Sequence, residues 1–135
     1  MAALAADRNT QVKGEKKRTF YMPVAASTKI YAGAMVSVVS GTGYAIPAAD
    51  TASHVVMGRA AAQADNTSGA AGAISVEVET GCFKYAVSSV TQANVGQNAT
   101  VVDDQTVGVA AGTTNDIVAG KILEIATDGA WVEIG

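Results

Sequence analysis

Cysteine occurs once, at Cys82, and histidine once, at His54. A single thiol excludes an internal disulfide and any cysteine-based zinc site, and a single imidazole excludes a multi-histidine metal centre. Aromatic residues are scarce too: one Trp, four Tyr and two Phe in 135 residues. Hydrophobic residues make up 49% of the chain, but much of that is alanine and valine. At roughly 25 cal/mol per Å² buried, such side chains build a thin core, so added stability from self-association or docking is expected. Long apolar runs are also missing. No stretch nears the roughly 20 residues needed to span a bilayer, and no membrane partner is expected. Met1–Asp7 has neither the basic region nor the apolar centre of a secretory leader, so synthesis in a reducing cytoplasm is expected.

What is present is a charge asymmetry. The first thirty residues hold Arg8, Lys13, Lys16, Lys17, Arg18 and Lys29 against Asp7 and Glu15, whereas the rest of the chain has three bases and ten acids. Residues 1–18 show no hydrophobic period and read as a basic, mobile arm, followed by a β-rich domain over 19–135. An arm that the body does not bury usually serves to be bound. Arg8, Lys13, Lys16, Lys17 and Arg18, with the adjoining Phe20 and Tyr21, are therefore candidate partner-binding residues. Stacking of Phe20 and Tyr21 on nucleic-acid bases is the alternative. The acidic body repels a phosphate backbone, so no nucleic-acid partner is expected.

Beyond the arm, short β-like runs alternate with turn residues at intervals of roughly 8 to 12, the pattern of an all-β sandwich or small barrel of antiparallel strands. Thr19–Met22 reads as a first strand ended by Pro23, and Ala48–Ser53 as one helical turn. In Ile74–Glu79, Ile74, Val76 and Val78 share one face, and Ser75, Glu77 and Glu79 share a wet one. After Gly81 the large residues Phe83, Tyr85 and Val87 fall on odd numbers, so Gly81 is expected to mark a bulge or tight turn. Gly120 is expected to turn the chain into the last hairpin. With Asp128-Gly129 as that hairpin's two-residue loop, Ile125 would pair with Val132, Glu124 with Glu133 and Ala126 with Trp131. That register puts Trp131 on the face opposite Val132, as a further candidate for partner contact. A second hairpin is expected around Asp103–Thr106.

Chemistry is harder to find. Asp50, Ser53 and His54 supply the residue types of a hydrolytic triad, but they are adjacent in sequence and no nucleophile elbow accompanies them. A histidine at the start of a strand is the plainer account. Val118–Ile122 ends Gly-Lys-Ile and lacks the spacing of a phosphate loop. Asp65-Asn66 and Asp103-Asp104 lack calcium-loop spacing and read as turn residues. Cys82 reads as a small packing residue. No catalytic residue, cofactor or metal is assigned.

One resemblance organises these features. Tyr31–Val38, Gly43–Ala48, Val56–Ala60, Ile74–Phe83, Val95–Gln97 with Val101–Asp104, and the Gly120–Ile125 and Trp131–Ile134 segments follow one another in an order of strands and glycines. That order resembles the capsid cement, or decoration, proteins of tailed bacteriophages, small proteins encoded beside the major capsid protein. The resemblance spans about residues 30–135, and the Lys/Arg-rich arm lies outside it. It implies an all-β barrel or β-tulip body, no enzymatic activity, and a place on the outer surface of the phage head after synthesis in the host cytoplasm. The implied partners are the major capsid protein and the chain itself, often as a trimer. Other virion components, such as a head-fibre base or a tail-tube protein, share this composition. A carbohydrate-binding β-sandwich would present more exposed aromatics than this chain has.

Overall fold

The computed structural model describes residues 2–135, the side chains of Lys16 and Lys17 excepted. Eleven strands follow in chain order: β1 (Val12–Pro23), β2 (Thr28–Ile30), β3 (Met35–Val39), β4 (Ala45–Pro47), β5 (His54–Ala60), β6 (Ala64–Asn66), β7 (Ser75–Val87), β8 (Asn98–Asp103), β9 (Thr106–Gly108), β10 (Val118–Ala126) and β11 (Gly129–Ile134). The only helical pieces among the described residues are single 3-10 turns at Gln92–Asn94 and Ala110–Gly112, so Ala48–Ser53 forms no helical turn. The fold is all-β, as the spacing of short runs and turns predicts.

Strands β7, β11, β10, β8 and β9 close on one another into a five-stranded barrel. Strands β5, β3 and β4 continue the sheet from β7, β1 lies along the opposite edge of β7, and β2 and β6 form a separate two-stranded sheet. The long β7 pairs with four strands, β1, β5, β9 and β11. Its residues alternate strictly, and each face is buried over a different half. Val76 and Val78 point into a cluster with Val24, Ile30, Ala34 and Val36, and Phe20, Met22 and Leu4 pack on its rim. Phe83 and Tyr85 point the other way, into the barrel, with Val101, Val107, Ile122, Val132 and Ile134.

The expectation at Gly81 holds in part: the ladder has a bulge at that position, but the extra residues lie on β1. Strand β7 carries no bulge there, and its pairing with β11 runs unbroken from Tyr85–Ala130 to Gly81–Ile134. The shift of large residues from even to odd numbers reflects two cores on opposite faces of one continuous strand, with Gly81 at φ 148° between them. The bulge lies across from Gly81 in β1, whose register slips between Lys13, opposite Cys82, and Arg18, opposite Thr80. Glu79 likewise departs from the expected wet face. It is 1% exposed and ion-paired with Arg59 of β5.

The final hairpin is present with a different register. Thr127-Asp128 is the loop, Ala126 pairs with Gly129, Ile125 with Ala130, and Glu124 with Trp131. A bulge at Leu123 then shifts the ladder so that Ile122 meets Val132 and Lys121 meets Glu133. The expected Glu124–Glu133 pair is thereby avoided, and opposite charges face each other where like charges would have destabilised the ladder. Leu123 is 43% exposed as a result. Gly120 lies inside β10 rather than at a turn, and glycine is needed there because a Cβ would sit 2.0 Å from the Glu133 carbonyl oxygen. The hairpin at Asp103–Thr106 forms as expected, with Val101 opposite Val107.

Phe83 and Trp131 test the assignment of inner and outer faces. Phe83 fills the barrel, whereas Trp131 lies outside it between the ammonium groups of Lys13 and Lys84, 5.0 and 5.8 Å from the ring centroid. Urea unfolding of Phe83→Ala should show a loss of about 3–5 kcal/mol, as for other buried aromatics. Trp131→Ala should lose only about 0.5–2 kcal/mol, the scale of cation–π contacts near a surface. Equal losses would place Trp131 in the core.

Candidate functional site

The segment expected to be a free arm lies on the body. Its backbone and polar side chains bind one end of the barrel, which explains the missing hydrophobic period. The Leu4 amide donates to an Asp104 carboxylate oxygen at 2.9 Å, and the Gln105 side-chain amide donates to the Ala2 carbonyl at 2.9 Å. Asp7 accepts from the Ala32 amide at 2.8 Å and from the Gln63 side chain at 3.0 Å. The Arg8 amide donates to the Ala32 carbonyl at 2.9 Å, and its guanidinium donates to the Gln105 carbonyl at 3.2 Å. The buried Thr10 hydroxyl donates to the Gly33 carbonyl at 2.6 Å. Residues 2–11 thus form a strap that leads into β1.

Gly33 is what lets the strap approach. Its φ is +85°, and a Cβ would stand 2.1 Å from the Arg8 carbonyl oxygen. Only glycine satisfies both the left-handed backbone and the contact.

Beneath the strap is a cluster of charges. The Arg59 guanidinium binds the Glu79 carboxylate, donates to the Thr10 carbonyl, and stacks over Phe83 at 4.5 Å. Arg8 lies 5.8 Å from the Tyr85 ring centroid, and the buried Tyr85 hydroxyl has no hydrogen-bond partner among the described residues. Burial pushes the Tyr85 phenol far above its ordinary range. Asp104 is 2% exposed, and burial raises its carboxyl above the ordinary 3.8 despite the Leu4 amide and Arg8, which act to lower it.

The sequence-derived candidates divide into separate places. Arg8 is part of the strap. Lys13 is tied to Glu124 and lies over Trp131, on the outer face of the sheet formed by β1, β7, β11 and β10. Lys84, also over Trp131, is held by Asp128 at 3.0 Å. Arg18 is exposed at the end of the β1 bulge, and the side chains of Lys16 and Lys17 lie outside the described residues. Phe20 packs inward beside Val78, while Tyr21 faces away and is 69% exposed. The outer edge of β1 pairs with no strand among the described residues.

Sequence reasoning missed Gly33, Arg59, Glu79 and Asp104. Asp103 does what a turn aspartate does and accepts from the Gln105 amide at 3.0 Å, whereas Asp104 turns inward to the strap. Asp50, Ser53 and His54 form no triad. The Asp50 carboxylate accepts from the amides of Thr114 and Asn115 at 2.8 and 2.9 Å, which hold it below its ordinary range and latch the Ala110–Asp116 loop. His54 starts β5. Among the described residues no cleft was found, and no three His, Cys, Asp or Glu side chains lie close enough to hold a metal ion. No protein-family model, curated protein or solved structure matches the chain.

The strap and Asp104 give a pH signature. The pKa of Asp104 is higher folded than unfolded. Its favourable contribution is therefore complete below the unfolded value and is lost as pH rises through the folded value. Asp104→Asn keeps an oxygen for the Leu4 amide and removes the charge. As pH rises from 3.8, the melting temperature of the wild type should fall relative to that of the variant, and the gap should then level off. A wild type that gains on the variant with rising pH would show that Asp104 is stabilised as a carboxylate.

Proposed function

We propose that this chain is a structural protein of a tailed-phage head that binds the outer surface of the shell and stabilises it by bridging neighbouring capsomers. The observation that carries this reading is the outer edge of β1, which pairs with no strand among the described residues and whose bulge carries the basic run Lys16-Lys17-Arg18 in an otherwise acidic chain. The order of strands and glycines that resembles phage decoration proteins supports it, as does the small barrel that this resemblance implies. The partner is the major capsid protein, met through an acidic or strand-edge surface, with Tyr21 beside the basic bulge as an apolar contact. Main-chain hydrogen bonds to an open edge supply affinity without a deep pocket. Many modest contacts across a repeating shell multiply into tight binding.

In free solution the body is proposed to associate as a trimer, which compensates for a core poor in aromatics. Sedimentation of purified protein should show the trimer, and a clean monomer at high concentration would remove it. Binding to assembled, undecorated heads tests the surface. Replacing Lys16, Lys17 and Arg18 by glutamine should weaken binding about tenfold per copy, if each cation contributes about 0.5 kcal/mol. The difference should shrink in high salt. Undiminished binding by the triple variant would assign attachment to another face.

A further inference from the structure

The strap is joined to the rest of β1 through a segment that has slack. Between Lys13, opposite Cys82, and Arg18, opposite Thr80, β7 offers only Gly81, while β1 has Gly14, Glu15, Lys16 and Lys17. A regular ladder would need one residue there. The extra length loops away from the sheet, starting at Gly14, whose φ is +75° with open space around it. Residues 2–13 therefore form a unit held by its own contacts and tethered by a joint three residues longer than the ladder requires.

The seat of that unit is polar. Leu4 apart, the strap is held mainly by polar contacts: hydrogen bonds to Asp104, Gln105, Ala32, Gln63, Gly33, Arg59 and Lys84, a two-residue ladder of Val12 and Lys13 on β7, and the Lys13–Glu124 ion pair. Each such bond nets about 0.5–1.5 kcal/mol, while each ordered residue costs about 1–2 kcal/mol of backbone entropy. The strap thus belongs to the least stable part of the fold, where local opening is easy. Water can solvate the uncovered carboxylate and guanidinium, so the open seat is less costly than an exposed apolar groove. The seat is nevertheless specific, because Gly33 admits a backbone at 2.1 Å from where a Cβ would stand, and Asp104 awaits an amide.

We propose that residues 2–13 exchange between copies of this chain, the strap of one copy closing the barrel end of another, with Gly14–Lys17 as the hinge. The exchanged strap makes the same contacts it makes at home, so the balance depends on hinge freedom and on local concentration. A second copy is the occupant that fits, since the seat is complementary to this segment residue by residue. The inference is independent of what the outer edge of β1 binds.

Asp7 and Gln63 touch across the strap and are both exposed, which makes them crosslinking positions. In a Cys82→Ala background, one population carries Asp7→Cys and another carries Gln63→Cys. A short bismaleimide is added after mixing at high protein concentration. A chain carrying both substitutions, crosslinked within itself when dilute, verifies that the strap is seated. The mixture should give crosslinked pairs, and each population alone should not. Deleting Glu15–Lys17 leaves Gly14 as the single residue opposite Gly81 and removes the slack. The internal crosslink should survive, and the yield between copies should fall at least about tenfold as the swapped geometry is lost. Absence of crosslinks between copies at any concentration, or an equal yield from the deletion variant, would overturn the proposal.

Discussion

The ion pair between Arg59 and Glu79 is the contact around which the two cores and the strap are arranged. Glu79 sits in β7 on the face that, two turns of the pleat further on, carries Phe83 and Tyr85 into the barrel. At Glu79 that face has reached the barrel's end, where no apolar layer remains to cover it. The opposite face at Val78 already belongs to the other core. A charge at this junction has to be neutralised without water, and Arg59 on the neighbouring β5 does so. Breaking such a pair by removing one partner typically costs about 3–5 kcal/mol, because the remaining charge is stranded. The strap completes the solution: the Thr10 carbonyl accepts from Arg59, and the segment closes the barrel end above both groups. The same pair thus joins β5, β7 and the N-terminal segment.

How the chain divides its cations follows from this geometry. Arg8 is used against Gln105 and Tyr85, Lys13 against Glu124 and Trp131, and Lys29 lies over Tyr31. Much of the basic excess near the N-terminus therefore neutralises the acidic body. The exposed pairs among these contribute modestly, about 0.2–1 kcal/mol each. Their combined effect is positional: they hold the strap and the start of β1 against the sheet. Among the described side chains, Arg18 stays exposed at the end of the bulge, on an edge that would otherwise be a long template for unwanted pairing. A bulge on an open strand blunts indiscriminate edge pairing.

Much of the fold was legible because period-two alternation and turn residues are local signals. The strands around Val36, Val76 and Val101 and both C-terminal hairpins could be read in this way. The register of the last hairpin was not, since Thr127-Asp128 and Asp128-Gly129 are both acceptable two-residue loops. The choice is made by distant contacts: Lys13 against Glu124, and Val132 and Ile122 inside the barrel. At Gly81 the local signal was present but had a different cause. A change of hydrophobic parity means either a bulge or a change in which face is covered, and only the pairing with β11 separates the two.

The strap was hidden for a more general reason. Hydrophobic periodicity reports segments that bury side chains, whereas this one docks through carbonyls, amides and a carboxylate, none of which leaves a period in sequence. Its clearest trace is on the receiving side. Tyr31-Ala32-Gly33-Ala34 ends in a run of small residues, and Gly33 and Ala32 present backbone groups to Arg8, Asp7 and Thr10. A second trace is Asp104, whose neighbour Asp103 suffices to make the turn. Two adjacent aspartates at a two-residue turn are one more than the turn requires, and the surplus acid is buried. An unneeded acid and a glycine with no room for a Cβ, more than seventy residues apart in sequence, are two halves of one binding seat that only folding brings together.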